Sequence, residues 1–331
     1  MSIVTVAPLD QRQLTPTPVP GSALKPALEQ AHEPAPRPPQ GSAPAAAPES
    51  ARRPAPAAAG SPSTPPVHLM HIAYSEATRS AEDGFTVLDN MANARPDWYE
   101  LWPVRRWLHS HELDEQAYYG FFSPKFRAKT QLGSAEVRAL VQADGAASDV
   151  YLFCAQPDVG MFFRHVYEGA GVVYPGVDQS AQQFFARIGY PTDMSSLVMD
   201  SSTIVFSNYV VARPRYWRAW LAIADLLYHW GERPHGDALT DGLNTPTTYG
   251  DGVQRKVFVA EGIASMLCSS GVFKTHAWDP FAMPWFSVFS RFRDQAITAD
   301  ALKKAYRQAG QQAYLDAFVK IQREVLSQFG R

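Results

Sequence analysis

Five stretches of the chain place charged and amide side chains directly beside aromatic rings. The densest part, RPDWYELWPVRRWL at 95–108, holds four large aromatic residues, two acids and three arginines. Aromatic faces cover the apolar side of a sugar or a base, and Asp, Asn and Arg form directional hydrogen bonds with hydroxyl groups. Lys and Arg neutralise a departing diphosphate, while a carboxylate removes a proton from an acceptor hydroxyl. The combination predicts sugar-transfer chemistry, although no single stretch is specific for it.

The five stretches are spread along the chain from residue 71 to residue 267. They are HIAYSEATR, with Tyr74, Glu76 and Arg79; LDNMANARPDWYE, with Asp89, Asn90, Asn93, Arg95, Asp97 and Glu100; YYGFFSPKFRAKT, with Ser123, Lys125 and Lys129; MDSSTIVFSNYVVARPRYW, with Asp200, Ser207 and Asn208; and YGDGVQRKVFVAEGIASML, with Glu261.

Each stretch also has a purely structural interpretation. Glu76 and Arg79 fit a solvated turn, Asp89-Asn90 fits an Asx turn or a helix cap, and Lys125 with Lys129 fits a surface face. Two residues favour function more strongly. Asn208 is predicted in the middle of an apolar strand, where a buried amide needs partners. Glu261 is predicted on an apolar helix face, either as a site carboxylate or in a buried ion pair with Arg255 or His276.

Composition divides the chain and excludes some classes of protein. Residues 1–66 contain no Phe, Tyr, Trp or Cys and more than half of the 27 prolines, so we expect a disordered arm that acts as a tether or spacer. The formal net charge of -2 provides no basic field for nucleic acid. The two cysteines form no metal or disulfide spacing, and no apolar run suggests a signal peptide or a membrane span. Cytoplasmic residence is the resulting expectation.

Several familiar catalytic signatures are absent from the sequence. It has no GxGxxG or Walker-type phosphate loop, no GxSxG elbow, and no HExxH or CxxC. Their absence lowers the expectation of a dehydrogenase, a P-loop enzyme, a serine hydrolase or a zinc enzyme.

Hydrophobic patterning predicts the elements that position the polar stretches. Strands are expected at 67–74, 149–155 and 203–212, with a short strand in VFKTHAW. Helices are expected at these places: from Trp102, from Ser134, over 159–170 and 180–190, from Pro214, over 253–270, and in a closing pair from Thr298. Strands alternating with helices indicate an α/β architecture with a mainly parallel sheet. Ligands in such sheets bind beyond the carboxyl ends of the strands.

The chain also resembles a known family over roughly residues 68–290. The blocks DGFTVLDNMANARPDWYELWPVRRWL, YYGFFSPKFRAKT, SDVYLFCAQPD, VFSNYVVARPRYWRAWL and VFVAEGIASMLCSSG are similar to those of bacterial glycosyltransferase-like proteins from surface-polysaccharide (O-antigen and capsule) gene clusters. The resemblance implies a single GT-A domain, the nucleotide-diphospho-sugar transferase type, over 67–331 with helices at its carboxyl terminus. It further implies sugar transfer from a nucleotide-sugar donor to a growing glycan, and an association with a membrane-bound polysaccharide assembly is compatible with it.

In this interpretation the residues take specific roles. Glu261 is the predicted catalytic base, with Asp200 as the second candidate. Donor-binding residues are Tyr74, Glu76, Arg79, Lys125, Lys129, Ser207 and Asn208. Sugar-cleft residues are Asp89, Asn90, Asn93, Arg95, Asp97, Trp98, Tyr99 and Glu100, while Trp102 and Trp107 are assigned to the core.

One departure from the GT-A pattern affects the cofactor. The sequence has no Asp-x-Asp after a central strand, the motif that normally holds Mg²⁺ or Mn²⁺ against the diphosphate. Either Asp158 or Asp200 holds the metal, or the enzyme is metal-independent and Arg79, Lys125 and Lys129 carry the phosphate charge. Two other hypotheses stay open: a non-catalytic carbohydrate-binding or scaffold protein of the same fold, and an α/β enzyme that uses another activated donor.

Overall fold

The structure is a computed structural model that describes residues 65–190 and 192–329. The predicted disordered arm at 1–66 lies outside the described residues, except for its last two positions. Within the described ranges, no helix has both the length and the apolar character needed to cross a membrane.

A six-stranded mixed sheet forms the centre of the described chain, in the order β2-β1-β3-β5-β4-β6. The strands are β1 (Val67–Ala73), β2 (Thr86–Asp89), β3 (Tyr118–Phe122), β4 (Val150–Leu152), β5 (Val210–Ala212) and β6 (Thr275–Ala277). The pairs β1–β2, β1–β3 and β4–β6 are parallel, whereas β5 is antiparallel to both of its neighbours. The expected α/β class with a mainly parallel sheet is therefore confirmed.

The prediction of a strand over 203–212 is wrong for most of its length. Only Val210–Ala212 pairs in the sheet. Ser207 and Asn208 have φ angles of 61° and 52°, in the left-handed region that breaks an extended strand. Asn208 is thus in a turn that precedes β5 and not in the middle of an apolar strand.

Two strands were not predicted from the sequence. All five residues of β3 are buried, so its YYGFF run shows no alternation between apolar and polar positions. β2 has only four residues, three of them exposed. In contrast, β1, β4 and β6 lie inside the predicted segments 67–74, 149–155 and VFKTHAW, and are shorter than those segments.

Helices lie between most of the strands along the chain and continue after the last strand. They are α1 (Leu101–Ser110), α2 (Phe126–Thr130), α3 (Ser134–Ala143), α4 (Pro157–Met161), α5 (Val166–Val173), α6 (Val177–Arg187), α7 (Pro214–Gly231), α8 (Ala238–Asn244), α9 (Arg255–Glu261), α10 (Ile263–Ser269), α11 (Ser287–Ser290), α12 (Arg293–Ala309) and α13 (Gln312–Ser327). The helices predicted from Trp102 and Pro214 are confirmed, and the 180–190 prediction largely coincides with α6. The closing pair begins at Arg293, before the predicted Thr298.

Two predicted helices are each divided into two. The segment 159–170 breaks between α4 and α5. His165 caps the start of α5, because its Nδ1 accepts a hydrogen bond from the Glu168 amide at 3.2 Å. The segment 253–270 is interrupted at Gly262. A Cβ there would lie only 2.3 Å from Tyr167 Cζ, so a glycine is required where the helix meets this ring.

The carboxyl-terminal helices are fixed to α4 by buried charges. Lys303 of α12 is fully buried and donates to the carbonyl oxygens of Gly160 and Phe163 at 2.7 and 2.8 Å. Burial lowers the pKa of Lys303 to about 8. Arg307 donates to Asp200 Oδ2 at 2.7 Å, which ties the loop before Ser207 to the same helix. These contacts hold α4 and the 200–207 loop in place beside the sheet.

Candidate functional site

Side chains from three segments meet at the edge of the sheet where β1 and β3 end. Tyr74 follows β1 and Ser123 follows β3, while Ser207–Tyr209 leads into β5. Because β5 is antiparallel, its first residue lies at the same edge as the last residues of β1, β3 and β4. The hydrogen bond between the Ser123 and Tyr209 hydroxyls, 2.6 Å long, closes this edge. The expected position of the site, beyond the carboxyl ends of parallel strands, thus brings several of the predicted residues together.

Lys129, on α2, supplies a partly desolvated positive charge at this edge. Its Nζ donates to Ser207 Oγ at 2.9 Å and lies 6.0 Å from the centroid of the Tyr209 ring. Burial lowers the pKa of Lys129, and the nearby carboxylates of Glu261 and Glu100 only partly offset that effect. No carboxylate of the described chain comes within 4 Å of the amine, so this charge has neighbours but no ion pair.

Glu261, the last residue of α9, supplies a carboxylate in the same place. Burial raises the pKa of Glu261 to about 7; Lys129 opposes this shift and Glu100 adds to it. Its carboxylate makes no hydrogen bond or ion pair with any described residue. The predicted ion pairs are wrong, because Arg255 donates to the Pro175 carbonyl oxygen at 2.9 Å and His276 pairs with Asp144 at 3.0 Å. A carboxyl group that titrates near neutral pH is suited to general acid–base work.

Two phenols complete the polar part of the site. Burial raises the pKa of both Tyr74 and Tyr209, and the Glu100 carboxylate raises each further. The Tyr74 hydroxyl is buried and has no hydrogen-bond partner in the described part of the chain. Buried hydroxyls normally find a partner, so the Tyr74 hydroxyl is an exception at this edge of the sheet.

Strained backbone is concentrated around these side chains. Four non-glycine residues with positive φ lie here: Tyr99 at 46°, Gln156 at 57°, Ser207 at 61° and Asn208 at 52°. Each such conformation costs on the order of 1–3 kcal/mol and is typically retained at functional sites. The carboxamide oxygen of Asn208 is also buried without a partner among the described residues. The strained turn therefore supports a functional role for the Ser207-Asn208 pair.

A pocket of about 100 Å³ opens from Lys129, Ser207 and Glu261 into an apolar chamber. The chamber is walled mainly by α4, α5 and α9, and its apolar lining consists of Val159, Phe163, Val166, Ala170, Val173, Phe206 and Phe258. A second recess of about 500 Å³ lies between Tyr99 and the 246–254 loop. Tyr249 lines the recess, and its ring packs against those of Tyr174 and Phe258, which line the pocket.

The predicted donor-binding residues divide into two groups. Tyr74, Lys129 and Ser207 meet at the site, and Asn208 lies in the same turn. Lys125 is exposed, but its charge is near enough to lower the pKa of Lys129. Glu76 and Arg79 instead pair with each other at 3.0 Å on an exposed turn, with side chains 74% and 67% accessible.

The predicted sugar-cleft residues also separate. Asp89 Oδ1 accepts from the Met91 amide at 2.8 Å, as in an Asx turn, and Asn90 donates to Asn93 Oδ1 at 3.2 Å. Arg95, Asp97 and Trp98 belong to a cluster with Glu232 and Lys256, described below. Asp97, whose side chain is 38% accessible, and Tyr99, which is 41% exposed, both line the recess, and Glu100 acts electrostatically on Lys129.

Arg95, Asp97, Trp98, Glu232 and Lys256 form what we call the paired cluster. Arg95 donates to both oxygens of Asp97 and of Glu232. Lys256 is 2% exposed, donates to Asp97 at 2.7 Å and lies 4.4 Å from the Trp98 ring centroid. Trp98 is itself 1% exposed. It is therefore part of the core, and its predicted place in the cleft wall is wrong; Trp102 and Trp107 pack against the core as expected.

The proposed metal ligands Asp200 and Asp158 are both held by hydrogen bonds, although Asp158 Oδ1 has no partner among the described residues. Asp200 accepts hydrogen bonds from Ser202 through Oδ1 and from Arg307 through Oδ2. Burial would raise the pKa of Asp200, but these contacts lower it. Asp158 is fully buried and its Oδ2 accepts from the Phe286 amide at 2.9 Å; burial raises the pKa of Asp158 to about 7. Within residues 65–190 and 192–329, no three His, Cys, Asp or Glu side chains form a metal-binding group.

Several residues of the site were not identified as functional from the sequence. Ser123 was noted but given no role, and Tyr209 was overlooked although it follows Asn208 directly. Its position is decided by the antiparallel pairing of β5, which local patterning does not reveal. The apolar chamber was also missed, because it exists only where the interruption between α4 and α5 meets α9. In comparisons with family models, curated proteins and solved structures, the chain matches none of them.

Proposed function

We propose that this chain is a glycosyltransferase of the GT-A type, which moves a sugar from a nucleotide-sugar donor to a glycan acceptor. The observation that carries the proposal is the pairing, in one pocket, of the Glu261 carboxyl group with a pKa of about 7 and the desolvated amine of Lys129. The pocket lies at the carboxyl edge of a mostly parallel sheet, where such enzymes place their substrates.

The two charges suit opposite ends of a transfer reaction. The Glu261 carboxylate would accept the proton of the acceptor hydroxyl as its oxygen attacks the anomeric carbon. The bond from that carbon to the diphosphate oxygen would break, and the nucleoside diphosphate would leave with the bonding electrons. Lys129, with Lys125 nearby, would neutralise the charge on the leaving group. Because Lys129 has no ion pair, a diphosphate would give it one.

The recess beside the pocket supplies features expected of an acceptor subsite. Tyr99 presents an exposed ring, and Asp251 and Tyr249 line the same space. Aromatic rings pack against the apolar faces of sugars, and carboxylates accept hydrogen bonds from their hydroxyls. Tyr249 of the recess packs against Phe258, which lines the pocket together with Glu261, so the base would stand close to an acceptor held in the recess.

Turnover tests the proposal directly. The full chain is incubated with UDP-, GDP-, CMP- and dTDP-sugars and an oligosaccharide mixture, with and without Mn²⁺, and acceptor-dependent nucleotide release is measured. We expect Glu261→Gln to reduce release at least 100-fold, the lower end for loss of a general base. The matched control Glu324→Gln, on an exposed position of α13, should leave it unchanged.

Three results would contradict the proposal. Wild-type turnover by Glu261→Gln would overturn the assignment of the base. Donor binding without any acceptor-dependent release would indicate a carbohydrate-binding protein without the chemistry. Release with a different activated donor alone would indicate another class of transferase.

A further inference from the structure

The pocket at Glu261 is unusual for a sugar site because most of its wall is apolar. The side chains of Val159, Phe163, Val166, Ala170, Val173, Phe206 and Phe258 are apolar, and the polar groups of the lining come from Lys129, Gln156, His165, Tyr174, Ser207 and Glu261. Apolar cavities stay dry and bind apolar molecules. Sugar hydroxyls would lose their hydrogen bonds with water in such a chamber, at a cost that its wall does not return.

The chamber is held open by the fold and is not a gap left by loose packing. Lys303 fixes the carbonyl oxygens of Gly160 and Phe163, which lie on the α4 side of the wall. Gly169, on the α5 side, packs so closely on Phe163 that a Cβ would lie 2.9 Å from the ring. Because both sides are fixed by close contacts, the wall cannot collapse into the empty space.

The polar end of the chamber favours an anionic group. The Nζ of Lys129 uses one of its three donors, on Ser207, and burial has lowered the pKa of Lys129. An anion placed there would restore the charged form of the amine. Below pH 7 the protonated carboxyl group of Glu261 can donate a hydrogen bond to the same anion.

We propose that the chamber binds the short aliphatic tail of an amphipathic molecule whose anionic head, a carboxylate or a phosphate, contacts Lys129 and Ser207. The chamber volume of about 100 Å³ is smaller than the ~150 Å³ cavity that admits benzene. We therefore expect the chamber to hold a tail of about four carbons. This binding is argued from the lining and volume of the chamber and does not depend on the proposed sugar transfer.

Two series of simple probes test the proposal on the full chain. Alkanoates from acetate to octanoate and alkyl phosphates from methyl to hexyl are titrated by ligand-observed NMR. Affinity should rise roughly fourfold for each methylene up to about four tail carbons, and then level off. A preference for one series identifies the head group. Affinity independent of chain length in both series would overturn the proposal.

Two variants should move the chain-length profile in opposite directions. Ala170→Phe fills the chamber and should weaken pentanoate binding at least tenfold. Val173→Ala enlarges it and should move the plateau one or two carbons further. Ala186→Phe, at an exposed position on α6, is the matched control and should change nothing. If Ala170→Phe does not fold, the Val173→Ala profile decides alone; an unmoved plateau there contradicts the proposal.

The probe titrations and the sugar-transfer assay fail independently. Chain-length-dependent binding with no nucleotide-sugar turnover would leave the chamber proposal standing and remove only the proposed function. Turnover of a nucleotide sugar with no binding of either probe series would support the proposed function and overturn the chamber proposal.

Discussion

Lys256 and Glu261 lie on the same short helix, α9, but only Lys256 has an ion-pair partner among the described residues. Lys256 is buried in the paired cluster, with the Asp97 carboxylate at 2.7 Å and the Trp98 ring beneath it. Glu261 faces the pocket, where Lys129 influences its pKa but makes no ion pair with it. One end of the helix thus satisfies its charge internally, and the other leaves its charge for something else.

The difference indicates which end serves the fold and which serves function. A buried charge without a partner destabilises a protein by several kcal/mol, and proteins retain such groups chiefly where a ligand or a reaction uses them. In the paired cluster, although burial alone would raise it, the pKa of Asp97 is lowered by hydrogen bonds from Arg95 and Lys256. The sugar-cleft role predicted for Arg95 and Asp97 is therefore less well supported than a structural one.

Removing the buried amine of the paired cluster should have the largest effect on stability. Lys256→Met should lower the free energy of unfolding by about 3 kcal/mol, the low end for breaking a buried ion pair, because Asp97 keeps Arg95. Urea denaturation measures the change, with Lys320→Met at an exposed position of α13 as the control. A loss below about 1 kcal/mol would mean that the cluster does not hold the fold.

Removing the charge of Glu261 should stabilise the protein, in a pH-dependent way. The folded-state pKa of about 7 exceeds the ordinary 4.5, so between these values the folded state binds more protons than the unfolded state. The contribution of Glu261 to stability is therefore fully present below pH 4.5 and is lost as the pH rises to 7. Glu261→Gln lacks this loss. Its free energy of unfolding should therefore exceed that of the wild type by about 2 kcal/mol at pH 8, after allowance for partial exposure of the side chain.

Denaturation curves of both proteins at pH 5 and pH 8 provide the comparison. Asp158, whose pKa is also raised to about 7, contributes equally to both proteins and cancels in the difference. The same difference at both pH values would contradict an elevated pKa for Glu261.

Lys129→Met should have a smaller effect, of the opposite sign to Lys256→Met. Losing a desolvated amine with one hydrogen bond should leave stability unchanged or raise it by about 1 kcal/mol. The same denaturation measurement applies. A large loss of stability would show that Lys129 is a structural lysine like Lys256. The contrast between the paired cluster and the pocket would then disappear.

The smallest effect is expected at the exposed turn after β1. Arg79→Ala removes an ion pair with Glu76. The side chains of Arg79 and Glu76 are 67% and 74% accessible. Such pairs contribute roughly 0–1 kcal/mol and are screened by salt. Unfolding free energy in low and in high salt should therefore match the wild type within error, while a lost ligand affinity in this variant would restore its predicted donor-binding role.

The sequence predicted what depends on local pattern. β1 is an apolar run, and α7 follows Pro214 with its large apolar residues on one side, so both were located correctly. Tyr74, Lys129, Ser207 and Glu261 were also selected, because charged and amide groups beside aromatic rings are visible without a structure.

Features that depend on distant contacts were not predictable. The partner of Glu261 was misassigned to Arg255 or His276, each of which is engaged elsewhere by a residue over 75 positions away. The turn at Ser207-Asn208 was taken for a strand because VFSNYVV is apolar enough to fit one; Tyr209, which pairs with Ser123, decides the geometry instead. The predicted place of Trp98 failed for a similar reason, since Glu232 accepts its indole N–H at 2.9 Å from far along the chain.

The central claim is that the Lys129–Glu261 pocket binds the donor, and a thermal-shift screen tests it most directly. The full chain, Lys129→Met and the control Lys320→Met are melted with UDP-, GDP-, CMP- and dTDP-sugars, each with and without Mn²⁺. With a donor at about 100 times its Kd, we predict that the Tm of the wild type and of Lys320→Met rises by about 5 °C with one nucleotide class, and that Lys129→Met does not respond. An equal rise in Lys129→Met, or no rise in any protein, would contradict it.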